Sequence, residues 1–110
     1  MQIELIQQHD NGPSQYRDSV PAGHDAIHHV AAFSDDLDTD LAYYERIGVE
    51  LAFSGLVAGT RVLYFDTHRT IGCMTELVER TPSIEELFGH IAEAGSTWDG
   101  TEPIRLLPLD

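Results

Sequence analysis

With 110 residues, 42% of them hydrophobic, the chain suits one domain spanning 1–110 with a single core, and it needs neither a disulfide nor a metal merely to fold. Its one cysteine, Cys73, excludes an internal disulfide, and without a signal peptide or a long apolar run the expected compartment is the reducing cytoplasm. Nineteen acidic against six basic residues give a net charge of −13, which argues against nucleic acid or an anionic membrane as partner and weakly favours a cation in any cleft.

Residues 2–8 read as a strand that starts almost at the first residue, followed by a bend through His9, Asp10, Asn11, Gly12 and Pro13. A helical turn is expected over 14–19 and a linker over 20–23. Residues 27–33 read as the next strand, with Ile27, His29, Ala31 and Phe33 on one face and His28, Val30 and Ala32 on the other. Asp36 suits a helix N-cap, Leu37, Leu41, Tyr44 and Ile47 form an apolar stripe, and Gly48 closes a helix near 37–47. Strands near 49–54 and 61–67 are predicted to form a hairpin turning through 55–59, and a last strand to run near 72–79. Ser83, Ile84, Glu85 and Glu86 have the capping-box form, and Ile84, Leu87, Phe88 and Ile91 give a helix near 84–94, ended by Gly95. The segment around Trp98, Asp99 and Gly100 reads as a loop laid across the surface. These elements predict an α+β sheet covered by helices on one face, the other being covered by something else or lining a cleft.

Two glutamates stand inside apolar strand patterns. Glu4 lies between Ile3 and Leu5, and Glu76 lies two residues from Met74 and Val78. An unpaired buried carboxylate is costly, so each either faces water from a one-sided sheet or meets something positive. His29 shares its face with Ala31 and Phe33, where a lone histidine is usually a satisfied core residue, and alternation puts His28 on the helix-packing face. Taken together, nitrogen and carboxylate ligands suit Zn, Ni, Fe, Co or Mn. Asp66 is a weaker candidate for a general base, Cys73 reads as a small core residue, and His9, His24, His68 and His90 read as loop or helix-surface residues.

The strand-helix-strand-strand-strand order from Ile27 to Glu79 resembles the βαβββ module of the vicinal oxygen chelate superfamily. That superfamily includes glyoxalase I, bleomycin-resistance proteins and extradiol dioxygenases. Ile27-His28-His29-Val30-Ala31 resembles the opening strand of the family's second module, Thr75-Glu76-Leu77-Val78 its closing strand, and Ile3-Glu4-Leu5-Ile6 the closing strand of the first module. The resemblance implies a glyoxalase-like fold with an extra N-terminal strand, most of the first module being absent, and metal ligands at Glu4, His29 and Glu76. It also implies that Glu4 or Glu76 acts catalytically by detaching to become the base, in a divalent-metal-dependent lyase or isomerase that works on a small vicinal-oxygen carbonyl substrate through an enediolate. The alternative is a non-catalytic small-molecule-binding protein of the same fold. Open strand edges and an open concave face lead to the expectation of a homodimer.

Overall fold

A computed structural model describes residues 1–107, so the last three residues of the expected domain lie outside it. Four strands form one mixed sheet: β1 (His29–Ser34), β2 (Leu51–Val57), β3 (Thr60–Phe65) and β4 (Met74–Glu79), in the order β1-β4-β3-β2. β1 runs parallel to β4, and β3 is antiparallel to both β4 and β2. With α2 (Leu37–Arg46) between β1 and β2, this is the βαβββ order expected.

Local chemistry explains most boundaries. Asp36 caps α2 by accepting a bond from the Thr39 amide at 3.0 Å, and Gly48, at φ +78°, turns the chain out of it. The β2–β3 hairpin closes on Ala58 and Gly59, both with positive φ, a turn whose twist matches that of the strands it joins. β2 therefore runs on through Gly55 to Val57 instead of stopping at 54, and Ala52 is the extra residue where its register with β3 shifts. The final helix, α4 (Pro82–Ser96), is capped two residues earlier than the capping box suggested: Thr81 accepts the Ile84 amide, with Pro82 in the first turn. A short helix, α3 (His68–Ile71), fills the gap between the two predicted strands, and β3 ends at Phe65 and β4 starts at Met74, each two residues short of the expected bound.

Two core clusters lie on opposite faces of the sheet. On one, Leu63, Phe65 and Leu77 pack against Leu37, Leu41 and Tyr44 of α2, with the Tyr44 ring stacked on Phe65 at 4.1 Å. On the other, Val62, Tyr64, Met74 and Val78 pack with Phe33 against Ile84, Leu87 and Phe88 of α4. The expectation of helices on one face only is thus corrected. α4 returns across the second face because its stripe of Ile84, Leu87 and Phe88 needs apolar cover as much as α2 does.

The larger correction is at the N-terminus. Residues 2–8 belong to no strand, so the extra N-terminal strand is absent. Alternating side chains specify a strand only where another strand offers its backbone, and nothing pairs with this segment. Its Ile3 and Leu5 are largely exposed. What holds the segment is farther along: Gln8 donates to the Gly12 carbonyl at 2.7 Å and accepts from the Ser14 hydroxyl at 2.6 Å. Ser14 in turn caps α1 (Gln15–Ser19) through the Arg17 amide. No helix among the described residues is long and apolar enough to cross a membrane.

Candidate functional site

The candidate site lies on the α4 face, at the end of the sheet away from Phe33 and Val78. Register places it. His29 is paired with Met74 and Ala31 with Glu76, so His29 and Glu76 project on the same side of adjacent strands. In the β3–β4 ladder Tyr64 stands directly opposite Glu76. The Tyr64 ring meets the His29 ring edge-on, with centroids 5.1 Å apart.

The three residues singled out from the sequence converge on one atom. His29 Nε2 lies 3.3 Å from Glu76 Oε2 and 3.4 Å from Glu4 Oε2. The His29 and Glu76 side chains are nearly buried, at 9% and 11% exposure, whereas Glu4 is 57% exposed. Glu76 comes from a strand held on both sides, and Glu4 from the unpaired N-terminal segment. Hydrogen bonding to Glu76 holds the His29 imidazole above its ordinary pKa despite burial, and the charges of Glu76 and Glu4 add to this.

Alternation would send His28 to the opposite face, and the structure does not. β1 begins at His29, so the His28 side chain is free to turn toward the site, where it is buried. Its Nδ1 lies 3.0 Å from His29 Nδ1, and its Nε2 lies 3.4 Å from the Gln15 carbonyl oxygen. The Tyr16 ring packs on it at 4.7 Å. Burial pushes the His28 pKa down, so its ring is neutral at pH 7. The carbonyl of Gln15 can only accept, which puts the His28 proton on Nε2 and leaves its Nδ1 bare. His29 Nδ1–H then donates to His28. His29 Nε2, facing two carboxylates, consequently holds a cation: a proton or a metal ion.

Sequence reasoning missed His28, Tyr64, Tyr16 and Gln15 as members of the site. Only the pair of adjacent histidines carried any signal of this, since the others are brought in by α1 and β3. Tyr64 is kept protonated, its pKa raised first by burial and then by the Glu76 charge and Tyr16. Asp66 stands apart, paired with His68 at 2.7 Å at the mouth of α3, where His68 holds its carboxyl below the usual range. Cys73 is buried, as a core residue should be.

The donor set of one imidazole and two carboxylates fits a divalent transition metal. Ligand bonds of about 2.0–2.2 Å put neighbouring donors roughly 3.0 Å apart in octahedral and 3.4 Å in tetrahedral geometry. The two imidazole–carboxylate separations fall in that interval. The group is not closed, however: no three His, Cys, Asp or Glu side chains among the described residues are gathered so as to hold an ion as they stand. Glu4 is the residue with freedom to close it, because its backbone carries no ladder bonds.

Residues 1–65 match the profile of the Glyoxalase/Bleomycin resistance protein/Dioxygenase superfamily, and the chain belongs to that superfamily. The matched stretch includes Glu4 and His29 and ends in β3, before Glu76. No curated protein matches the chain.

Proposed function

We propose that this member of the superfamily is a divalent-metal-dependent lyase or isomerase acting on a small carbonyl compound with vicinal oxygens. The convergence of Glu4 and Glu76 on the single Nε2 of His29 carries this reading. Glu4, His29 and Glu76 would hold the metal, which when bound acts as a Lewis acid that acidifies the carbon next to a carbonyl. The chain's own residues supply the rest. His28 fixes the His29 ring by accepting its Nδ1 proton, and the Gln15 carbonyl fixes His28. Glu4, half-exposed and carried on a segment without strand pairing, would be the carboxylate that leaves its place to take up a proton and return it. Glu76, opposite Tyr64 in the sheet, would stay in place on its paired strand, near a protonated phenol able to donate to a substrate oxygen.

The test is metal uptake. Protein freed of metal and exposed in turn to Zn, Ni, Fe, Co and Mn salts should retain about one ion per chain, and Glu76→Gln should lose it while remaining folded. A second reading, a non-catalytic small-molecule-binding protein, is favoured by the open ligand group, in which a protonated His29 already satisfies both carboxylates without an ion. Absence of uptake for all five metals selects it.

The domain is further proposed to work as a homodimer in the cytoplasm. Among the described residues β1 and β2 are free sheet edges, and Met1, Ile3, Leu5 and Ile27 leave apolar surface open beside the site. Light scattering should give twice the 12.2 kDa chain mass.

A further inference from the structure

Beside the site, a cavity of about 410 Å³ lies between α1 and the β2–β3 hairpin. That volume suits a small organic molecule. Its walls are Pro13, Tyr16, Phe53, Leu56, Val62 and Tyr64 above all, and it carries no charged side chain. Three of these walls are aromatic, and Phe53 meets Tyr64 edge-on at 5.9 Å. The Phe53 ring lies over Gly55, where an added Cβ would come within 2.7 Å of it, so glycine at 55 is what lets that wall fold inward. Tyr64 belongs to both cavity and site, since its ring also touches His29.

Two further observations define an occupant. Gln15 also lines the cavity, and its side-chain oxygen is the one buried side-chain nitrogen or oxygen among the described residues with no hydrogen-bond partner. A buried acceptor left unmatched is unfavourable, and a donor brought by a ligand would relieve it. No arginine, meanwhile, lines the cavity. Arg17 of the neighbouring helix turns its guanidinium to the Asp10 carbonyl, Arg61 pairs with Asp38 and Glu79, and Arg80 pairs with Asp35 and Glu85. An anionic handle lodged among these walls would find no positively charged lining residue, in a chain of net charge −13.

We infer that this cavity takes the uncharged, ring-sized apolar body of the substrate, with a hydroxyl or N–H donated to Gln15, and rejects substrates borne on phosphate or carboxylate handles. The inference deepens the proposed function and rests on it only for the vicinal oxygens presented to Glu4, His29 and Glu76.

The test uses the full chain in EDTA, so that ring binding is read without metal. Amide and aromatic NMR shifts are followed while benzyl alcohol, and separately benzoate, is added. Benzyl alcohol should shift Tyr16, Phe53 and Tyr64, and benzoate should bind at least tenfold more weakly. Gln15→Leu should weaken benzyl alcohol roughly fivefold, as loss of one hydrogen bond implies. Leu56→Trp, at a largely exposed hairpin position where the fold tolerates change, should fill the cavity and abolish the shifts. Equal or tighter binding of benzoate, shifts centred on Trp98 instead, or no shift at saturating benzyl alcohol would each overturn the inference. Ring binding by a protein that takes up no metal leaves the cavity assignment standing and removes the metal reading, and metal uptake without ring binding does the reverse.

Discussion

His28 and His29, neighbours in sequence, face each other nitrogen to nitrogen, Nδ1 to Nδ1 at 3.0 Å. In a regular strand they would point to opposite sides of the sheet, so this contact marks the place where β1 starts and the site begins. The chain of contacts runs from the Gln15 carbonyl through His28 and His29 to Glu76 and Glu4. It leaves one cation position, on His29 Nε2.

Replacing His28 with Phe keeps a flat ring against Tyr16 but removes the acceptor for His29 Nδ1–H. Metal affinity is expected to fall by roughly 10–100-fold, the usual cost of losing an outer partner of a histidine ligand. Calorimetric titration with Zn measures it, and circular dichroism establishes that the fold survives.

In the metal-free protein the His29 imidazole should titrate above the ordinary histidine value, and Glu76→Gln should bring its midpoint down, because Glu76 is the main cause of the rise. The sign follows from linkage. The protonated ring is favoured in the folded state, so its contribution to stability is complete below the unfolded-state pKa, near 6.5, and is lost as pH rises through the higher folded-state value. Urea midpoints across that window, for wild type and Glu76→Gln, give the comparison, and the variant should show the shallower decline. Metal uptake should weaken as pH falls through the same His29 midpoint, since proton and ion compete for Nε2.

Gly55→Ala introduces a Cβ within 2.7 Å of the Phe53 ring, and a half-exposed ring can move aside. The cost in stability should be under about 1 kcal/mol, below the range for overpacking a closed core. The Phe53–Tyr64 contact should nevertheless be lost, which ring-current shifts of the Tyr64 protons would report.

Ile84→Ala tests the cover on the site's face. Ile84 is 1% exposed and anchors α4 against Val62 and Val78. The change should destabilise the protein by about 2–5 kcal/mol in denaturant unfolding. If α4 were a dispensable appendage, the loss would be near zero.

The amino-acid sequence by itself determined the βαβββ order, because the switch between two-residue and helical apolar periods is a local property that survives in any context. The Asp36 cap, the Gly48 stop and the carboxylates within apolar strand patterns were legible for the same reason: each follows from a residue's chemistry and its immediate neighbours. Tertiary structure decided the remainder. Residues 2–8 carry a strand pattern but have no partner strand, so Glu4 reaches His29 from an unpaired segment and not from a ladder. α4 covers the second face because its apolar stripe found one open there. The positions of His28, Tyr64, Tyr16 and Gln15 around His29 depend on where β1 starts, how β3 registers with β4, and where α1 is tied down. None of these is written in spacing along the chain, since each is a choice between contacts distant in sequence, settled by which surfaces and backbone groups remain unpaired once the sheet has formed.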